Sequence, residues 1–215
     1  MPTVLITREH AEPLSDLLAE RGVASTHVPM LRLTATGAQA PSVSPGQVLV
    51  TSAAAVRFAP GLAETVRGAG VVAVGPATAA ALEAVGVTVT SVGTGGGLTA
   101  LRMLKSEAGA LWYIGAEQPS PGLAAALTRT PIHRWPVYRA EALPVSVDTS
   151  DIDAVVFTSG RTIEAYLQAN GLPDVPVAVL GPTTQGVAEA LGVPVDVCAG
   201  QPTLSALADA VAALF

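Results

Sequence analysis

The chain repeats itself about 106 residues along, and this duplication limits its architecture more than any other feature. Val50-Thr51-Ser52 returns as Phe157-Thr158-Ser159, and Val74-Gly75-Pro76-Ala77-Thr78 returns as Leu180-Gly181-Pro182-Thr183-Thr184. Gly86 returns as Gly192, and Pro29-Met30-Leu31-Arg32 as Pro136-Val137-Tyr138-Arg139. A period of this length is too long for a solenoid repeat and matches one small α/β domain. The sequence therefore reads as two similar domains, and a pair of domains is expected to leave a cleft for a ligand.

Short β-branched runs alternate with alanine- and leucine-rich stretches in both copies. Strands are predicted at Thr3–Thr7, Val23–Val28, Gln47–Thr51, Val71–Val74, Val87–Val92, Ala110–Ile114, Ile132–Val137, Asp153–Thr158, Val175–Leu180 and Val193–Cys198. Most are unbroken apolar runs, the pattern of parallel strands buried on both faces. The helices between them carry clear punctuation. Leu14, Leu17 and Leu18 share a face ahead of Gly22; Pro76 opens a helix that Gly86 stops, and Pro182 opens its counterpart, stopped by Gly192. Proline at the first helical position and glycine just past the last is the usual asymmetry. Pro202 is expected to open the final helix, with Leu204, Leu207, Val211 and Leu214 inward. A βαβα rhythm with short loops predicts doubly wound parallel sheets. Two stretches rich in Pro, Ser, Ala and Thr, Thr34–Gly46 and Ala140–Asp151, break that rhythm, one after each Pro-x-x-Arg segment. The chain can thus leave its first domain early, build the second and return; periodicity alone equally permits two consecutive domains.

Composition narrows the function. Half of the 215 residues are hydrophobic but only 4% are aromatic, so the cores must be Ala, Val and Leu. A net charge of −6 argues against nucleic-acid binding, which needs a basic footprint. It leaves an anionic substrate open, because a site is built locally and charge is screened over about 8 Å at physiological salt. The single cysteine, Cys198, excludes an internal disulfide and suits a reducing compartment. Neither a signal peptide nor a membrane span is evident. These features predict a cytoplasmic protein with no membrane partner. The absence of a long amphipathic seam predicts a monomer.

The candidate chemistry lies where strands end and helices begin, since open α/β sheets bind ligands beyond the carboxyl ends of their strands. Thr51-Ser52 and Thr158-Ser159-Gly160 each end a strand; Gly75-Pro76 with Thr78, and Gly181-Pro182 with Thr183-Thr184, open helices. Small hydroxyl residues there either cap the helix or help its amides hold an anion. Arg8, after the first strand, can reach a carboxylate or serve as a solvated cap. Tyr138, beside Arg139, can be a structural tyrosine at a domain edge or a functional one. Other signals are weaker. Gly93-Thr94-Gly95-Gly96-Gly97 has Leu98 where a dinucleotide loop needs glycine, and reads as a flexible loop. His10, His27 and His133 have no metal-ligand spacing. Cys198, at the end of an apolar strand, is expected to be buried and inert.

Taken in order, Leu5-Ile6-Thr7-Arg8, Val50-Thr51-Ser52, Val74-Gly75-Pro76-Ala77-Thr78, Pro136-Val137-Tyr138-Arg139, Phe157-Thr158-Ser159-Gly160, Gly181-Pro182-Thr183-Thr184 and Ala199-Gly200-Gln201-Pro202-Thr203-Leu204 resemble the uroporphyrinogen-III synthase family. The resemblance covers essentially the whole chain. It implies two flavodoxin-like doubly wound α/β domains joined by a two-stranded connector. The first is discontinuous (residues 1–35 plus 143–215), and the second comprises residues 36–142. It also implies a cofactor-independent lyase that closes the linear tetrapyrrole hydroxymethylbilane to uroporphyrinogen III, inverting ring D and losing water, with neither metal nor organic cofactor. Tyr138 matches the tyrosine proposed to assist departure of the terminal hydroxyl; a phenol with a pKa near 10 keeps its proton at neutral pH, and such acid help is worth about 10²–10⁴-fold. Thr78, Ser159, Thr183 and Thr184 match polar positions lining the family's cleft. Three departures stand out: Glu9 where proline usually follows the first-strand arginine, Ala53-Ala54-Ala55 where Asn-Gly is frequent, and Gly115-Ala116 where Arg-Gly is frequent. A non-catalytic module of the same fold, binding a tetrapyrrole or other polycarboxylate, is the alternative. A two-lobed sugar- or amino-acid-binding domain fits less well, because aromatic residues to stack on a sugar are scarce.

Overall fold

A computed structural model describes residues 1–94, 96–105 and 109–215. The chain divides into two compact units, Met1–Arg32 with Glu141–Phe215 and Leu33–Ala140. It begins in the first unit with β1 (Thr3–Ile6), α1 (Leu14–Ala19) and β2 (Ala24–His27), and leaves through β3 (Leu31–Ala35). The second unit follows with β4 (Gln47–Val50), α2 (Ala53–Phe58), α3 (Leu62–Thr65), β5 (Gly70–Ala73), α4 (Pro76–Ala84), β6 (Ser91–Val92), α5 (Gly96–Leu101), β7 (Leu111–Ala116) and α6 (Pro121–Arg129). The return is β8 (Ile132–Ala142), after which the first unit is completed by β9 (Ala154–Phe157), α7 (Gly160–Asn170), β10 (Val177–Val179), α8 (Pro182–Ala190), β11 (Val197–Cys198) and α9 (Leu204–Ala212).

The first unit holds the sheet β11-β10-β9-β1-β2, with every neighbouring pair parallel. Counted along its own strands this is the order 2-1-3-4-5, the flavodoxin-like arrangement. The other sheet runs β3-β8-β7-β4-β5-β6, parallel from β8 to β6. It gives the same 2-1-3-4-5 order when β7 and β8 are counted first and β4, β5 and β6 after them. Each unit is therefore assembled from both sequence copies: strands one and two come from one copy, and strands three to five from the other. The equivalence is close in detail. Helices α4 and α8 have nine residues each and begin at equivalent prolines. Gly86 and Gly192 stand beyond their ends with φ of 82° and 73°, the left-handed conformation glycine adopts without a Cβ penalty.

Each unit has its own apolar core. In the first, Val4, Ile6, Leu14, Leu18, Val156 and Leu207 pack between sheet and helices. In the second, Val48, Val50, Leu82, Trp112, Ile114 and Trp135 cover one face of the sheet, and Leu49, Tyr113, Leu123 and Leu127 the other. Trp112 and Trp135 meet edge to face at 6.3 Å, a favoured aromatic geometry.

The structure corrects several expectations. Of Val87–Val92 and Val193–Cys198 only the last two residues of each pair as strand, because β6 and β11 are sheet edges with a neighbour on one side. The stretches read as starting at Thr34 and Ala140 begin as strand, since β3 extends to Ala35 and β8 to Ala142. The two run side by side, with the Thr36 amide donating to the Val137 carbonyl. Strand β8 passes through Pro136, whose missing N–H falls opposite Gly115 beside a bulge at Gly115/Ala116, where the ladder is interrupted in any case. The final helix starts at Leu204, capped by the Thr203 hydroxyl, not at Pro202. Gly96 and Gly97 open α5 instead of extending a loop, whereas Gly95 lies outside the described residues. Cys198 is half-buried, on the edge strand β11, and not fully enclosed.

Candidate functional site

The carboxyl ends of the parallel strands carry the sequence-derived candidates in each unit. In the second unit Thr51 and Ser52 follow β4. Ser52 is extended (φ −167°) and caps α2, its hydroxyl accepting the Ala55 amide at 3.1 Å. The same hydroxyl donates to the Tyr138 phenol oxygen at 3.0 Å. This joins two residues that are 86 apart in sequence, one just past β4 and the other within β8, across β7. Tyr138 is half-buried, its ring 5.9 Å from that of Phe58, and its carbonyl accepts the Glu117 amide at 2.7 Å. Thr51 donates from Oγ1 to the Ile114 carbonyl at 3.3 Å, bridging β4 and β7, where the strand order reverses. Gly75 and Pro76 open α4 at the end of β5. Thr78, in the first turn, is only 4% exposed.

The first unit repeats the pattern. Ser159 caps α7, accepting the Thr162 amide at 3.3 Å. Gly160 is a packing glycine: a Cβ there would lie 2.7 Å from Val187 Cγ1 on α8. Gly181 and Pro182 open α8, where Thr183 is exposed and Thr184 only 6% exposed. Of the first-turn threonines in α4 and α8, Thr183 alone turns its side chain to solvent. Arg8 leaves β1 beside the switch point with β9, its carbonyl 2.9 Å from His27 Nε2. Its Nη1 is buried and has no hydrogen-bond partner among the described residues. Burial lowers the guanidinium pKa from its usual value, partly opposed by Glu9. A group lodged this way gains from a carboxylate brought to it.

Two supporting residues escape sequence reasoning. Thr7 is fully buried and donates from Oγ1 to the Val156 carbonyl at 2.8 Å, stapling β1 to β9. Tyr113, inside β7, is fully buried and donates to the Ala116 carbonyl at 3.0 Å. Desolvation pushes its phenol up to about 12, with the Thr51 hydroxyl bond opposing. Tyr113 has no polar neighbour in sequence to mark it, and only the bulge brings its hydroxyl a partner.

The model of the uroporphyrinogen-III synthase HemD family matches residues 12–209. The chain belongs to this family. Two solved uroporphyrinogen III synthases share the fold. The enzyme of Helicobacter pylori has a TM-score of 0.69 at 15% identity over 100% of both chains. A mutant of the enzyme from the extremely thermophilic bacterium Thermus thermophilus has 0.65 at 18%, covering 97% of this chain and 96% of that one. No curated protein matches the sequence. Uroporphyrinogen-III synthases are cofactor-independent lyases of haem biosynthesis, and the function of this family member lies in tetrapyrrole formation. Among its described residues no group of three or more His, Cys, Asp or Glu is placed to hold a metal ion. No helix among them is long and apolar enough to cross a membrane.

Proposed function

We propose that in this family member Tyr138 delivers the proton on which the hydroxymethylbilane hydroxyl departs. The strand-end residues Arg8, Thr51, Ser52, Gly75, Pro76, Thr78, Ser159, Gly160, Gly181, Thr183 and Thr184 serve as the substrate-binding positions. The observation that carries the reading is the 3.0 Å bond from Ser52 Oγ to Tyr138 Oη. Because Ser52 supplies the hydrogen of that bond, the phenol's own proton is directed elsewhere. The carbon–oxygen bond of the hydroxymethyl group breaks, the oxygen leaves as water with the phenolic proton, and the pyrrole electrons fill the gap. Ring closure then expels a proton that restores the phenol. Since hydroxymethylbilane also closes unaided to the uninverted isomer, the protein's part is orientation more than activation. Backbone amides, hydroxyls and the Arg8 guanidinium grip acetate and propionate groups without a basic surface, in keeping with a net charge of −6.

Isomer analysis after incubation with hydroxymethylbilane tests the reading. The wild-type protein yields the type III isomer, and Tyr138→Phe lowers kcat by about 10²–10⁴-fold. Type I product alone at the spontaneous rate ends the proposal. Tetrapyrrole affinity without turnover supports the binding-module alternative instead. We further propose a cytoplasmic monomer: Cys198 is a free thiol, and the large exposed apolar side chains, among them Val43, Val85, Leu98, Leu172 and Phe215, come from separate segments. A stable dimer in light scattering contradicts this.

A further inference from the structure

We infer that Tyr113 is a positioning residue for Tyr138, acting through the bulge at the end of β7; the inference rests on the reading of Tyr138 given above. Tyr113 is fully buried inside β7. Its influence runs along two short paths. Its phenol donates to the Ala116 carbonyl at 3.0 Å, within the bulge where Ala116 takes Tyr138 as its partner. The next amide, Glu117, donates to the Tyr138 carbonyl at 2.7 Å. Tyr113 Oη and Thr51 Oγ1 also border the same small space above Gly115, and Ser52, the residue after Thr51, donates to Tyr138 Oη at 3.0 Å. Backbone and phenol of Tyr138 are therefore each held by groups tied to Tyr113.

Gly115 locks the arrangement. A Cβ at this position would lie 2.1 Å from Thr51 Oγ1, 2.5 Å from Tyr113 Oη and 2.7 Å from Tyr113 Cζ. No side chain fits there while Thr51 and Tyr113 keep their places. Tyr113, Thr51 and Gly115 thus form one interlocked set. An arginine at position 115, as in the family's frequent Arg-Gly, would meet the phenol and the threonine hydroxyl in this chain.

The experiment compares Tyr113→Phe, Tyr138→Phe and the double variant by steady-state kinetics with hydroxymethylbilane, expressing kcat per folded enzyme after urea titration. Misplacement by about 1 Å can cost on the order of 10²-fold. Tyr113→Phe is therefore expected to lower kcat by about ten- to a hundredfold, to hold KM within about twofold, and to raise the share of type I product. The double variant should be no slower than Tyr138→Phe alone, because groups acting as a unit are not additive. Wild-type kcat in Tyr113→Phe, or additive losses in the double variant, overturns the inference while leaving Tyr138 in its role. Wild-type kcat in Tyr138→Phe overturns both readings. A lower urea midpoint with kcat and isomer ratio unchanged marks Tyr113 as merely structural and also overturns it. Should Tyr113→Phe fail to fold, Thr51→Val, close in shape but lacking the hydroxyl, replaces it: a lower kcat with KM held within about twofold supports the inference, and an unchanged kcat or a loss confined to KM, as a substrate contact alone would give, refutes it.

Discussion

Ser52 uses one hydroxyl for two purposes, accepting the Ala55 amide to start α2 and donating to Tyr138. Ser52→Ala should accordingly cost about 1 kcal/mol of stability, the usual worth of such a cap, and lower kcat about tenfold by releasing the phenol. Urea titration and turnover measured on the same preparation separate the two effects. An unchanged kcat with the stability loss present would reduce Ser52 to a cap. Tyr113 makes a prediction in pH. Its pKa is raised from 10.0 to about 12 in the folded protein, mainly by burial, so the folded state holds the proton more tightly than the unfolded chain. Its contribution to stability is complete below the unfolded value near 10 and is lost as pH rises toward 12, at up to about 1.4 kcal/mol per pH unit. Tyr166, shifted the same way by burial, adds to the trend. Urea midpoints should fall between pH 10 and 12, less steeply in Tyr113→Phe; equal slopes would show that the phenol ionises as it does in water.

At the level of elements, the two copies of one motif differ where local sequence intervenes. The helix after Thr158-Ser159 runs unbroken over Gly160–Asn170, whereas its counterpart is split into Ala53–Phe58 and Leu62–Thr65. The split falls at Ala59-Pro60-Gly61, where proline removes a helical donor and Gly61 takes φ of 65°. The second strand is likewise broken in one copy into β2 and β3, and continuous in the other as β8. Caps and stops were legible residue by residue: proline first and glycine last frame α4 and α8 as expected. Edge strands were not, because an apolar run reads alike whether or not a neighbour pairs with it. Close packing between elements was equally invisible. Gly160 looks like a loop glycine in the sequence, yet its bare Cα lets α7 approach Val187 of α8. Gly160→Ala is therefore expected to cost about 1–3 kcal/mol, as overpacking does. Combining it with Val187→Ala should recover part of that loss in thermal unfolding; a strictly additive pair would remove the packing explanation.

Across the whole molecule, the sequence copies and the structural units do not coincide. Residues 33–140 contain all of β4 to β7, most of β8, and both core faces of their sheet. Expressed alone, this fragment should unfold cooperatively by circular dichroism. A fragment of residues 1–106, one full copy, should not, since it holds strands one and two of one sheet and three to five of the other. Cooperative unfolding of residues 1–106 would contradict the assignment of strands to units. What the sequence determined unaided was local: the duplication, the helix boundaries at Pro76, Gly86, Pro182 and Gly192, the hydroxyl-bearing strand ends and the family pattern around Tyr138. These follow from backbone geometry and side-chain chemistry within a few residues, which any one copy displays by itself. Tertiary structure alone decided that Ser52 meets Tyr138 and that Gly115 cannot carry a side chain. Those outcomes depend on contacts between segments far apart in the chain, where equal local signals allow several pairings and only packing selects one.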